Sequence, residues 1–230
     1  MSQALPLPGQ RTALVTGGAR GIGRSIAEQL RSAGVIVHAP TRAELDLALP
    51  ESIDAWLASH ASLHFDILIN NAGINVLNAV DTIDAQTFGA MLQVNLGAAL
   101  RLLQTLAPRM AARGWGRVLN LSTIFSLVTK ERRAAYSMSK AALNALTRSA
   151  AVEFGPNGVL INALAPGYVD TDLTRQNNSP QAIEQICANI PLRRMASVDE
   201  LAKLAVFLVS EANTYMTGQV VVADGGFTCL

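Results

Sequence analysis

Two cysteines, three histidines and an almost even charge balance remove several classes of function. Cys187 and Cys229 stand far apart and unaccompanied, so a disulfide framework is not expected. His38, His60 and His64 form no ligand spacing with them, and no metal site is expected. With 18 Lys+Arg against 17 Asp+Glu, the formal net charge is +1 and gives no reason to expect a nucleic-acid or membrane partner. No apolar run is long enough to span a bilayer, and Met1 to Gly9 lacks the charged and apolar regions of a signal peptide. A soluble, cytoplasmic protein is expected. There is no internal repeat and no low-complexity stretch. Half of the 230 residues are hydrophobic, enough for one large core, so residues 1–230 are read as a single domain.

Residues 1–10, with Pro6, Pro8 and Gly9, read as a loose lead-in. A β-rich run from Arg11 to Thr16 then meets a glycine-rich turn, Thr16-Gly17-Gly18-Ala19-Arg20-Gly21-Ile22-Gly23. A helical pattern follows, with Ile22, Ile26, Ala27, Leu30 and Ala33 on one side and Gly34 as its stop. In this strand–turn–helix setting the glycines let the backbone approach a pyrophosphate. The helix N-terminus stabilises the charge. Gly17, Gly21 and Gly23 make G-x-x-x-G-x-G rather than the commoner G-x-G-x-x-G.

Val35 to Ala39 reads as the second strand. A carboxylate at its end would bond an adenosine ribose and repel a 2′-phosphate. That place falls near Thr41, with Arg42 next and no acid until Glu44. Arg42 and Arg20 could hold a 2′-phosphate by charge-assisted hydrogen bonds. Only three residues separate Thr41 from Leu45-Asp46-Leu47, whereas a crossover helix between parallel strands needs about a dozen. The third strand and its helix are therefore expected to be shortened or vestigial.

Ser52 to His60 reads as a helix, and Asp66 to Ile69 as a buried strand running into Asn70-Asn71-Ala72-Gly73, where small residues let the backbone lie against a nucleotide. A long helical segment from about Asp84 to Ala112 carries Asn95 on an otherwise apolar face. Gly116 to Leu121 reads as the fifth strand, with Ser122 and Thr123 at its carboxyl end, where open parallel sheets bind ligands. A helix from Ala134 to Phe154 ends at Gly155-Pro156, and Val159 to Leu164 is the next strand. The polar stretch from Asp172 to Arg194, including Asn177, Asn178, Ser179 and Pro180, is expected to form a mobile substrate flap. Ser197 and Glu200 make a capping box for a helix through Val209, and Thr217-Gly218-Gln219 opens a last strand, Val220 to Ala223. The alternation predicts an α/β doubly wound, three-layer fold with a mainly parallel sheet.

Tyr136 and Lys140 project from one helix face a turn apart. A free tyrosine has a pKa of about 10 and transfers protons poorly near neutrality. An adjacent ammonium stabilises the phenolate and would lower that value.

Taken together these motifs resemble the short-chain dehydrogenase/reductase family from Thr12 to Gly226. The glycine spacing, Asn70-Asn71-Ala72-Gly73, Tyr136/Lys140 and Ala165-Pro166-Gly167-Tyr168-Val169-Asp170-Thr171 carry the likeness. The resemblance implies hydride transfer between a nicotinamide and a carbonyl or alcohol carbon. In it Tyr136 exchanges the proton, Lys140 depresses the tyrosine pKa and bonds the nicotinamide ribose, and Asn95 holds a relay water. The family's catalytic serine lies thirteen residues before the tyrosine, which is Thr123 here, with Ser122 as the alternative. It further implies cofactor contacts from Gly17, Arg20, Gly21, Ile22, Gly23, Thr41, Arg42, Asp46 (to adenine), Asn70, Ala72, Gly73, Pro166, Gly167, Val169 and Thr171, besides Tyr136 and Lys140. Basic residues near the ribose go with NADP(H) in the family, favoured here over NAD(H). Family members are commonly homotetramers paired through two long helices.

Two substrate classes remain open. Much of the downstream sequence, including Thr217-Gly218-Gln219, resembles 3-oxoacyl-acyl-carrier-protein reductases. Asn157 stands where those enzymes often have an Arg that docks the carrier, for which Arg113 and Arg117 could partly compensate. The other class is sugar-like or other polar keto compounds, with Arg133 of Lys130-Glu131-Arg132-Arg133 facing the substrate or making surface ion pairs. A module that binds a dinucleotide without turnover is a third reading.

Overall fold

The computed structural model describes residues 11–176 and 178–229; the proline-containing lead-in and Asn177 of the expected flap lie outside them. Six parallel strands form one sheet in the order β2-β1-β3-β4-β5-β6, with β1 Thr12–Val15, β2 Ile36–His38, β3 Ile67–Asn70, β4 Gly116–Leu121, β5 Val159–Pro166 and β6 Val220–Ala223. Each connection between parallel neighbours carries helix, as parallel pairing demands. The chain leaves β1 toward β2 on one side and returns to place β3 on the other. The crevice between the ends of β1 and β3 is therefore the switch point at which such sheets bind ligands.

Helices cover both faces. On one, α1 (Gly21–Ser32) and α8 (Val198–Val209) pack Ile26, Leu30, Ala202, Ala205 and Val209 against Val15, Ile67, Ile69 and Leu119. On the other, α2 (Pro50–Ser59), α4 (Ala98–Ala112) and α5 (Ala134–Phe154) press Ile53, Trp56, Leu102, Leu106, Ala150 and Ala151 onto Leu14, Leu68, Val118 and Ile161. Both sides of β3 and β4 are thus covered, and neither strand has an exposed residue. Fully burying a Leu or Ile contributes about 1.5–3 kcal/mol. Leu14, Ile67, Leu68, Ile69 and Leu119, all below 2% exposed, make this central region the most strongly stabilised part of the sheet.

Three sequence expectations are corrected. Among the described residues no strand lies between His38 and Ile67, so Gly116–Leu121 is the fourth strand, not the fifth. The segment read as one helix from Asp84 to Ala112 is α3 (Ala85–Leu92), one π turn (Gln93–Gly97), then α4. A π turn inserts a residue into the helical ladder and turns a side chain off the regular face. Here that turn carries Asn95. Between Asp172 and Arg194 the chain forms two short helices, α6 (Asp172–Gln176) and α7 (Pro180–Ala188), the second capped by Ser179 Oγ accepting from Ala182 N at 3.2 Å. The Ser197/Glu200 capping box opens α8 as read.

Candidate active site

The glycine turn leaves β1 and is held against the end of β3 by two side chains. Thr16 Oγ1 accepts from the amides of Asn71 and Ala72 at 3.0 and 3.1 Å, and Asn71 Nδ2 donates to the carbonyls of Thr16 and Gly17 at 2.9 and 3.1 Å. Such close approach needs glycine. A Cβ on Gly23 would lie 2.3 Å from Asn71 Nδ2 and 2.4 Å from Gly17 O. Gly17 has φ +65° and backs onto Ala72, 3.0 Å from where its Cβ would be. Helix α1 begins at Gly21 with Arg20 at its N-cap and no side-chain cap, so the first-turn amides of Gly21, Ile22 and Gly23 have no intrahelical partner. Thr171, beyond β5, lies near the turn: its Cγ2 is 3.9 Å from a Cβ built on Gly21. A bare cradle with free amides fits a dinucleotide pyrophosphate.

At the ribose end, Ala39 packs on Gly18, and the Glu44 carboxylate folds back to accept from Thr41 N (2.7 Å) and Thr41 Oγ1 (2.9 Å). Those bonds hold the Glu44 pKa below its ordinary value. Arg42 Nε pairs with Asp46 at 3.1 Å while its side chain stays 82% exposed. Arg20 is exposed and makes no ion pair among the described residues. The Asp46 carboxylate also accepts from Ala48 N at 3.0 Å, so its two oxygens already hold Ala48 and Arg42, and a contact to adenine would share them.

The Asn70 side chain faces into the sheet. Its amide donates to Asn120 Oδ1 at 2.8 Å, and Asn120 donates to Thr147 Oγ1 at 2.9 Å. This buried chain ties β3, β4 and α5 together, so Asn70 braces the sheet and its neighbour Asn71 holds the cofactor turn. No periodicity distinguishes two consecutive asparagines at a strand end.

The other predicted groups converge beside this turn. A Cβ on Gly73 would lie 3.2 Å from Asn95 Oδ1 and 3.4 Å from Lys140 Nζ, so Gly73 sits between them. Asn95 accepts from Ile74 N (2.8 Å) and donates to Ile74 O (2.9 Å) and Ser139 Oγ (3.0 Å). Lys140 is buried, donates to Leu121 O at 2.6 Å, and is pushed by desolvation down to about 8. The Tyr136 phenol lies close enough to the Thr123 side chain for that hydroxyl to lower its pKa, and Thr123 Oγ1 accepts from Phe125 N at 3.3 Å. Ser122 Oγ instead faces Ser126 Oγ at 3.2 Å, which Asn144 also bonds at 2.8 Å, so Thr123 rather than Ser122 meets the tyrosine.

The tyrosine pKa runs against the sequence expectation. Burial raises it, with the Thr123 hydroxyl and the Arg133 charge opposing; Lys140, whose ammonium is directed at Leu121 O, is not among its causes. Pro166 ends β5, Gly167 N donates to Ala223 O at 3.0 Å, and Val169 pairs with Ala196, which fixes the loop leading to Thr171. Phe125, Tyr168 and Phe227 form an edge-to-face aromatic series, with Arg133 over Phe125 at 5.0 Å.

The carrier-docking arginines are corrected as well. Arg117 is buried and donates to the carbonyls of Gly116 (2.9 Å) and Asn213 (3.1 Å), while Arg113 donates to Phe65 O at 2.8 Å. Both, like Asn157 just before β5, lie at the amino ends of the strands, opposite the site.

The family model described as enoyl-(acyl carrier protein) reductase matches residues 37–228. The chain is 34% identical to 3-oxoacyl-(acyl-carrier-protein) reductase of Aquifex aeolicus, covering 94% of this chain and 96% of that one. A structure described as an NAD(P)-dependent gluconate 5-dehydrogenase from Beutenbergia cavernae, with NADP at low occupancy, superposes with a TM-score of 0.92 at 34% identity, over 97% of this chain and 99% of that one. A gluconate 5-dehydrogenase of Burkholderia cenocepacia, in complex with NADP and tartrate, gives 0.89 at 29% identity over 99% and 98%. Matched along nearly its whole length, and with its fold and motif residues arranged as described, the chain belongs to the short-chain dehydrogenase/reductase family of oxidoreductases.

Proposed function

We propose that the chain interconverts a carbonyl and an alcohol with NADP(H), and that Tyr136 carries the proton. The observation behind this is the convergence of the Thr123 hydroxyl and the Tyr136 phenol with buried Lys140 and Asn95 around Gly73. NADP(H), when bound, supplies or accepts the hydride. Thr123 orients the substrate oxygen against the phenol, its extra methyl narrowing the pocket. Lys140, with a pKa lowered to about 8, offers donors to a ribose and, when charged, favours the phenolate. Asn95 supports the relay by fixing Ile74 and Ser139. The preference for NADP(H) over NAD(H) rests on Arg20 and Arg42, and three solved relatives are described with NADP.

Of the two substrate classes, a small polar keto compound has the better support. Arg117 is buried and Arg113 is bonded to Phe65 O, which leaves neither free to stand in for a carrier-docking Arg at Asn157, and two relatives are described as gluconate 5-dehydrogenases. Initial rates of NADPH and NADH oxidation with 5-keto-D-gluconate, L-sorbose and acetoacetyl-CoA test the reading. Turnover that disappears in Tyr136→Phe while NADPH binding persists supports it. Binding of NADPH with no turnover across such a panel would return the chain to the class of non-catalytic dinucleotide-binding modules.

A homo-oligomer, tetrameric as in the family, is part of the same reading. Met138 and Val152 on α5 and Leu100 on α4 are exposed at 48%, 78% and 38%, apolar surface of the kind a helix-paired interface would cover.

A further inference from the structure

Arg133 is the one cation of the Lys130–Arg133 run that turns inward. Its guanidinium lies 5.0 Å over the Phe125 ring, and it sits one helical turn before Tyr136 at the start of α5. It is half-buried, yet it makes no ion pair and no side-chain hydrogen bond among the described residues. Asp170 is engaged with Arg175, and Asp224 with the amides of Gly226 and Thr228. Arg132 next to it, in the left-handed region at φ +63°, points away to bond Leu77 O at 3.1 Å. The Arg133 charge reaches the phenols of both Tyr136 and Tyr168.

A partly desolvated guanidinium with free donors favours an anion, and its fork matches a carboxylate. We propose that Arg133 anchors the anionic end of the substrate, and that the substrate is accordingly a hydroxy or keto carboxylate. This rests on the proposed carbonyl–alcohol chemistry and narrows it. In the reductive direction the keto carbon takes a hydride from NADPH, its oxygen takes the Tyr136 proton, and the carboxylate held by Arg133 passes through unchanged. The Phe125 ring, itself packed edge-to-face with Tyr168, covers one face of the guanidinium and orients its fork.

The test compares the full-length protein with Arg133→Gln and Arg133→Lys in two measurements. The first is calorimetric binding of tartrate, a hydroxy dicarboxylate, to the NADP-loaded protein. The second is the ratio of kcat/KM for 5-keto-D-gluconate to that for uncharged L-sorbose. An anchoring role predicts that Arg133→Gln weakens tartrate binding about tenfold or more and lowers the ratio by a similar factor, with Arg133→Lys recovering part of both. Wild-type protein that binds no tartrate, or a ratio unchanged in Arg133→Gln, overturns the anchor. Tartrate binding that depends on Arg133 in a protein without turnover of either ketone would uphold the anchor while sinking the reaction.

Discussion

Asn95 Nδ2 donates to Ser139 Oγ at 3.0 Å, and Ser139 Oγ in turn donates to the carbonyl of Tyr136 at 2.8 Å. The π turn and helix α5, their bonded residues 44 apart in sequence, are therefore joined by a fully buried hydroxyl. The π turn exists, on this view, to aim Asn95 at that hydroxyl and at Ile74. A regular helix would carry its side chain about a third of a turn away.

Removing the hydroxyl tests the connection. Ser139→Ala leaves one buried Asn95 donor short of a partner, while the Tyr136 carbonyl keeps its helical bond. Unfolding in urea should show a loss of about 1–3 kcal/mol. Turnover should fall in kcat more than in KM, since the tyrosine loses positioning and the cofactor cradle is untouched. Equal loss in both would mean that Ser139 only supports packing.

Lys140 links stability to pH. Its folded pKa, about 8, lies below the ordinary 10.5, so the unfolded chain binds more protons between those values. Stability should therefore rise with pH from about 8 to 10.5, and below 8 the buried charge costs a few kcal/mol at most. Lys140→Met removes that cost. Its melting temperature at pH 7 should exceed that of the parent, with the advantage shrinking toward pH 10, while turnover is lost. A destabilised Lys140→Met would show that the bond to Leu121 O outweighs the desolvation.

Much of this architecture was legible in the sequence because it depends on local patterns. The apolar runs of β3 and β4, the Ser197/Glu200 box and the limits of α5 follow from periodicity and capping. What escaped is set by tertiary placement. Which of Asn70 and Asn71 turns inward depends on the pleat of β3 against β4. The π turn has no signature beyond a polar residue on an apolar face. Arg113 and Arg117 looked available because nothing in the sequence says which end of the sheet they occupy. The raised Tyr136 pKa reflects burial, which spacing to Lys140 does not encode.

Thr123 and Ser122 can be separated by single substitutions. Thr123→Ala removes the hydroxyl beside the phenol and should lower kcat about 100-fold, in the range for losing a positioned donor in a reacting site. Thr123→Ser keeps the hydroxyl and should retain most of the rate. Ser122→Ala affects only the Ser126/Asn144 cluster and should cost stability rather than turnover. Reversal of that order would transfer the role to Ser122.

On the proposed preference for NADP(H), selectivity for the 2′-phosphate would turn on two arginines in different situations. Arg20 is unpaired among the described residues, so Arg20→Ala changes little in the protein alone. Arg42 is paired with Asp46, and Glu44 occupies the amide and hydroxyl of Thr41 beside it. A 2′-phosphate arriving here would compete with Glu44 for the Thr41 donors and with Asp46 for Arg42. Charge then decides: a phosphate carries nearly two negative charges to the single charge of each carboxylate, and should displace them. Arg42→Ala should therefore raise the NADPH dissociation constant about tenfold and leave that of NADH nearly constant. Glu44→Gln should tighten NADPH, by removing a like charge and leaving a weaker, neutral acceptor on Thr41. Fluorescence titration of both cofactors with each variant reads this directly. An Arg42→Ala protein that loses NADH as much as NADPH would mean that Arg42 serves only to hold Asp46 in place.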